Sequence, residues 1–526
     1  MIRFKIFSTV AFLFCISLCE AQFNVQVTMG EEYKAPRRST LSGVIGHDET
    51  GIYTLSVRGL FSNVLTIEHF DKQLKRTKFQ EIELIKDKKE RNFEFIIHSS
   101  GKLYLFSSFY DQKLKKTTLF SQTVSKETLA LNNDLKNVAE ITSESRHNSG
   151  GFNYRISKDK SKIMIFYNLP YEKTEPEKFG FHVYDVDLNE LWTKSISLPY
   201  SDGLFTISTY KVSDKGNVFL LGKIYEEKSK DVRFGKVNFK YTILSYSNSE
   251  NTVKEYGVSL GEKFLTDMQI AITPNEDIVC AGFYSDKGMH SIKGTYFLRV
   301  DGATKEIVSK STKEFGLNFI TLEMTEKQAA KTKRRAEKGK DTELYEYDLD
   351  NLILRDDGGA VLVGEQYYVR VTTSTYTTAN GGMSTVTTYH YYYNDVIVIN
   401  IDPSGNIQWA VKVAKDQHTI NDGGFFSSYA LHVNKDNIYI IFNDNPKNMS
   451  ANLAPGKRYN FVPYKESEVV IAQIDHHGNI TKKSLFSSLK KDIITRPKVC
   501  KQISEKEMVI FGQKKTTQRF SMLVFE

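Results

Sequence analysis

An all-β chain built from one repeated antiparallel unit is what this sequence predicts, on three observations. The stretch "NDVIVINIDPSGNIQWAV" at 394–411 has weaker copies at 180–194, "GFHVYDVDLNELWTK", and at 468–482, "EVVIAQIDHHGNITK". In each, an Asp (Asp185, Asp402, Asp475) is followed at fixed spacing by an Asn (Asn189, Asn406, Asn479). A second signature, strand, tight turn, strand, alternates with the first along the chain. Finally, 34 Phe and 29 Tyr stand against 10 Pro, and aromatic side chains suit a pleated, half-buried surface.

The elements follow in order. Hairpins are read at "LSGVIGHDETGIYTLSV" from 41, "FEFIIHSSGKLYLFSS" from 93, "FNYRISKDKSKIMIFY" from 152 and "TISTYKVSDKGNVFLLG" from 206. They return at "MQIAITPNEDIVCAGF" from 268, "NLILRDDGGAVLVGE" from 351, "YALHVNKDNIYIIF" from 429 and "VCKQISEKEMVIFG" from 499. Each places Asp, Asn, Gly, Ser, Lys or Glu between runs of Val, Ile, Phe and Tyr; Gly and Asn tolerate positive φ, while branched and aromatic residues fill a sheet. After each hairpin comes the other unit, near 64, 117, 180, 240, 295, 394 and 468, and the last copy is cut short at "RFSMLVFE". Its missing strand is expected at "FNVQVTM", 23–29, where apolar and polar residues alternate. Four antiparallel strands per unit, in eight units with one shared between the termini, is the arithmetic of a single β-propeller over 22–526. Seven blades is the alternative.

The turns "RDDGGAVLVG" and "NIDPSGNIQW" resemble those of secreted bacterial propeller repeat proteins, in which a D-G-G-x-x-x-x-G hairpin precedes an I-D-x-x-G-N-x-x-W unit. The resemblance implies the fold and carries no catalytic residue, since such propellers serve many functions.

The start, "MIRFKIFSTVAFLFCISLCEAQ", has Arg3 and Lys5, then an apolar stretch too short to span a bilayer, then Cys-Glu-Ala. It reads as a secretory signal peptide, 1–21, cut after Ala21; acylation of Cys19 is the rival reading. An extracytoplasmic location, periplasmic, surface or secreted, is expected, with no transmembrane segment. Cys280 and Cys500 remain in the mature chain, too far apart in the repeat for a disulfide to be the simpler reading. The formal charge of +8 over 526 residues is a mild bias, not a nucleic-acid footprint.

Chemistry is less legible. Asp185-x-Asp187-x-Asn189 lacks the turn Gly and distal Glu of a calcium loop, so these side chains are expected to cap turns. Trp192 and Trp409 share a repeat position and are expected between neighbouring blades, and His476 and His477 in a solvated turn. No G-x-S-x-G or H-E-x-x-H is present. Arg155, Lys211 and Arg355 near inner-strand ends follow no scheme. No metal and no cofactor is expected.

The variation falls in loops of one class, those joining the second strand to the third and the fourth to the next unit, so one face of the disc is elaborated. Two insertions stand out. "TEKQAAKTKRRAEKG" from 325, within a helical insertion of about 320–347, has Thr325 and Gln328 at capping-box spacing and Gly339 as a stop, which predicts a helix of three to four turns. Its Lys331, Arg334 and Arg335 are candidates for an acidic partner, against the blander reading of a solvated helix. "YYVRVTTSTYTTANGGMSTVTTYHYYYN" from 367 predicts a Tyr/Thr-rich hairpin over about 367–393 that extends the sixth blade. Tyr376, Tyr389, Tyr391 and Tyr393 are its candidate ligand-binding residues, and alternation puts the last three on one side. The expected function is a monomeric, non-catalytic binding or interaction module that holds a protein, peptide or glycan on its long-loop face. A structural part of a bacterial envelope complex, and a hydrolase or lyase with a central-channel site, are the alternatives.

Overall fold

The computed structural model describes residues 24–526 except 60–63, 87–88, 227–237, 250–251, 341, 435–436, 451 and 489–492. The predicted signal peptide and Cys19 lie outside the described residues. The chain is all-β and propeller-like: among the described residues, eight antiparallel sheets of at least four strands follow one another. The first runs Ser39–Asp48, Gly51–Arg58, Val64–Phe70, Arg76–Glu83, and the next three begin at Asn92–Ser99, Gly151–Ile156 and Phe205–Val212. The fifth and sixth begin at Phe264–Ile272 and Tyr347–Leu354, and the seventh at Ala430–Asn434. In the eighth, Glu507–Lys514 pairs with Thr517–Phe525, which pairs in turn with Val25–Met29 from the other end of the chain. That register runs from Val25 opposite Phe525 to Met29 opposite Ser521.

Position within a sheet explains the burial pattern. Second strands such as Ile278–Ser285, "IVCAGFYS", are buried throughout, because both of their faces meet a neighbouring sheet. Fourth strands such as Ile307–Glu314, "IVSKSTKE", are largely exposed. The cores lie between consecutive sheets: Phe283 and Phe297 of the fifth pack with Leu362 and Ile399 of the sixth. Ile441 and Ile471 of the seventh pack with Leu523 and Phe525 of the eighth. The eighth also shares a core with the first, through Phe511, Phe520, Leu41, Ile52 and Phe70.

The repeated turns have the expected geometry. Asp185, Asp402 and Asp475 each accept the backbone N–H and the side-chain amide of Asn189, Asn406 and Asn479 respectively, at 2.8–3.2 Å. Burial works against the charge of Asp185, and these bonds outweigh it, holding its carboxyl below the usual range. Asp187 pairs with Lys102 of the preceding sheet, and His477 sits exposed in its turn. The Trp192 indole donates to Gly216 O at 3.1 Å and the Trp409 indole to His476 O at 2.9 Å, each reaching into the next sheet. Cys280 and Cys500 are free thiols, both pushed up to about 12 by burial. Among the described residues no helix is long and apolar enough to cross a membrane.

Candidate functional site: an arm and a charged seat on the long-loop face

Three insertions meet on the elaborated face. The first holds two helices, Leu317–Thr321 and Glu326–Glu337. The second helix starts as the sequence predicts: Thr325 Oγ1 accepts from Gln328 N, and Gln328 Oε1 accepts from Thr325 N. Past its end, Gly339 takes φ 65°, the left-handed conformation that favours glycine. Lys331, Arg334 and Arg335 are exposed.

Between this insertion and the one at 443–467 lies a cavity of about 400 Å³ lined by charged groups of both signs. Arg458 holds Glu323 at 2.9 Å and also pairs with Asp395. Lys412 donates to Phe319 O and Leu322 O at 3.2 and 3.3 Å, so its charge faces the carboxyl end of the short helix, where a cation is favoured. Gly456, at φ 69°, presses on Met324; a Cβ there would stand 2.0 Å from Met324 O. The cations of this seat are therefore committed to the protein, and it clamps the insertions together.

Below it, Lys415 is wholly buried and bonds Glu365 Oε1 at 2.6 Å, Tyr393 O at 2.8 Å and Gln417 Oε1 at 3.3 Å. Ser428 Oγ donates to the other Glu365 oxygen at 2.7 Å. Nearby, on the first strand of the sixth sheet, Asp350 accepts from Tyr429 OH at 2.7 Å. Burial pushes Asp350 up to about 7, with Glu365 and Asp348 repelling its charge and Lys415 opposing them. Asp350 is nevertheless water-accessible. Arg155 and Lys211 sit on first strands of the third and fourth sheets, both lowered by burial. Arg355 bonds Asn400 Oδ1 at 2.7 Å and pairs with Asp357.

The third insertion is the hairpin. Ala360–Thr377 and Met383–Ile401 stay paired to the tip, where Thr378 and Gly382 close the turn. A short strand the sequence did not reveal, Gln417–Ile420, pairs along its root. Tyr389 and Tyr391 stand opposite Val371 and Val369, giving one face an apolar, aromatic row. Tyr376 lies on the other face, opposite Ser384. Tyr393 shares the row by parity but is buried: its ring is 4.6 Å from that of Tyr367, Lys498 Nζ donates to its hydroxyl at 2.7 Å, and Gly424 packs on it. The face of Tyr376 also carries an aromatic ladder, Tyr368 on Tyr392 at 4.5 Å and Tyr392 on His418 at 4.3 Å. His390 continues it, hydrogen-bonded to His418 at 3.1 Å. The shared parity of 368, 390 and 392 was the available signal. Among the described residues, no cluster of His, Cys, Asp and Glu is arranged to hold a metal.

No protein-family model matches the chain, and no curated protein matches it. Solved structures resemble it distantly. A Bacteroides caccae protein of unknown function is 12% identical, covering 69% of this chain and 94% of its own, with a TM-score of 0.28. Cobalt-substituted apocarotenoid oxygenase from Synechocystis is 10% identical over 89% of this chain and 93% of its own, with a TM-score of 0.37. Prolyl oligopeptidase B from Galerina marginata is 10% identical over 92% of this chain and 56% of its own, with a TM-score of 0.37. At these scores none says what this chain does.

Proposed function

We propose that the chain is an exported, non-catalytic β-propeller of eight blades that uses the tyrosine arm of its long-loop face to bind a protein, peptide or glycan. The pairing of Val25–Met29 with Thr517–Phe525, and the core shared by the last sheet and the first, support closure of the ring through its two ends. The observation that carries the binding reading is the exposure of Val371, Tyr376, Met383 and Tyr389, at 52%, 53%, 81% and 45%. Strands this rich in Thr, Tyr and Val reach beyond the packed sheets, where they add nothing to the core. Tyrosine presents a rigid apolar ring with a hydroxyl, which suits recognition at low entropic cost. Export rests on the leader read in residues 1–21.

The test is a peptide and glycan array probed with the mature chain and with a variant in which 372–388 is replaced by a two-residue Asn-Gly turn and Val371 and Tyr389 are changed to Thr. The cut spares the three-stranded root and the ladder on it. Ligands captured by the parent are expected to be lost by the variant; ligands held equally by both would refute the arm as the binding element.

A hydrolase or lyase working from the inner space is a second reading, favoured by one observation. Asp350, near neutrality and hydrogen-bonded to Tyr429, is the kind of group that can exchange protons at physiological pH. That reading requires turnover of an array ligand to vanish in Asp350→Asn with binding retained.

A further inference from the structure

The opposite end of the molecule holds a cavity of about 600 Å³ that the long loops do not reach. It is enclosed by first strands and turns of four consecutive sheets, the eighth, first, second and third. A volume of that order suits a small organic ligand. Three lysines line it, Lys158, Lys160 and Lys501, together with His47 and His98, and no carboxylate does.

The neighbouring acids are engaged elsewhere. Asp48 binds Lys126 at 2.6 Å and Thr50; the exception is Asp356 of the sixth sheet, which makes a long, exposed pair with Lys158 at 3.5 Å that a bound anion would have to compete with. Lys501 Nζ spends one bond on Val44 O. Among the described residues, Lys160 has no hydrogen bond or ion pair to its side chain, nor has His47. The groups converge closely enough to act on one another: after burial, Lys501 and Lys160 oppose a charge on His47, and Asp48 and Glu507 partly offset them. His98 is held at about 4 by burial and by Lys126. Ile45, Ile96, Ile156 and Ile503 form an apolar part of the wall, and Ser99, Ser100, Ser157 and Gln502 add neutral polar groups. Gly46 shapes the floor, since a Cβ there would stand 2.6 Å from the His98 ring.

We infer that this cavity is an anion-binding site for a small organic oxyanion, a phosphate monoester or carboxylate whose body rests on the isoleucine wall while its charged head meets Lys158, Lys160 and Lys501. Converging cations in a partly enclosed space with no internal counter-charge attract such a head more strongly than the same lysines would in open water. Charge-assisted bonds from each ammonium then fix it. The site is independent of the arm and carries its own test.

Calorimetric titration of the mature chain at low salt, with inorganic phosphate, glucose 6-phosphate and glucuronate as separate probes, decides it. Saturable one-to-one binding is expected for glucose 6-phosphate or glucuronate, whichever head group the site prefers, and weaker binding for inorganic phosphate, which has no body. Lys160→Asn suits the positive φ of 63° at that turn and should weaken the interaction about tenfold, the loss of one charge-assisted contact. Lys158→Gln with Lys160→Asn should weaken it further, and Lys331→Gln with Arg335→Gln on the helix should leave it unchanged. Absence of saturable binding by all three probes into the millimolar range overturns the inference. So does binding that the lysine pair variant leaves intact while its melting transition matches the parent.

Discussion

One strand of the sixth sheet passes through two environments. At its start, Ala360 and Leu362 are fully buried, as is Ile399 on its partner; near its tip Val371 and Tyr376 are more than half exposed. Backbone pairing continues to the tip, while composition shifts from Ala, Val and Leu at the root to Thr, Ser and Tyr beyond it. The neighbours change with it: the root is sandwiched between the fifth and seventh sheets, and the tip has water on both faces. Burial follows sheet-to-sheet packing, and the composition of the strand follows it: apolar where two sheets meet, Thr- and Tyr-rich where none does. The buried part can hold the scaffold together while the exposed part remains free for recognition.

The packed part is most vulnerable where the chain ends meet. Removing 519–526 strips Val25–Met29 of its partner and takes away Phe520, Leu523 and Phe525, all 0% exposed. Concentration-dependent association by size exclusion and protease nicking near 24–30 are expected. Phe525→Ala, which loses the stack on His432 at 3.7 Å, should cost about 3–5 kcal/mol in a denaturant melt. A truncated chain that stays monomeric and melts like the parent would contradict closure through the termini.

At the junction of the two environments sits the Lys415–Glu365 pair. Lys415→Met leaves a buried carboxylate with Ser428 as its remaining partner and should cost about 3–5 kcal/mol, whereas Lys415→Met with Glu365→Gln should recover much of it. Equal losses for the single and double variants would show that volume, not charge, is what the site requires.

A smaller, pH-dependent effect comes from another buried carboxyl. Burial, then the hydrogen bond and charge of Asp202, push Glu177 from its ordinary 4.5 up to about 8. Between those values the folded chain keeps a proton that the unfolded chain has lost, so stability falls as pH rises through that window. Glu177→Gln should flatten the fall in melting temperature from pH 5 to 8, with little change at pH 5. A variant as pH-sensitive as the parent would place the titration elsewhere.

Local patterns were legible and distant pairings were not. The hairpins, the Asp–Asn turns and the Thr325 capping box each lie within a few residues, where backbone chemistry dictates the outcome. Trp192 and Trp409 were placed by repeat position, because the same slot in each unit meets the next sheet. Glu365 interrupts the apolar run "AVLVGEQYY", a visible irregularity, but its partner Lys415 is 50 residues away and no periodicity links them. Alternation grouped Tyr393 with Tyr389 and Tyr391 correctly by face, yet could not show that Lys498 and Gly424, brought in from other sheets, bury it. The lysine cavity draws on four sheets and has no signature in any one of them.

The sharpest measurement is native-state hydrogen exchange resolved along the sixth sheet. The amides of 361–364 and 396–401 are expected to exchange only through global unfolding. Those of 372–377 and 383–388 should open locally and exchange much faster, unaffected by Phe525→Ala. Arm amides as slow as those of the root, and accelerated with them by Phe525→Ala, would mean that the hairpin is part of the cooperative core and that the division between scaffold and recognition arm is wrong.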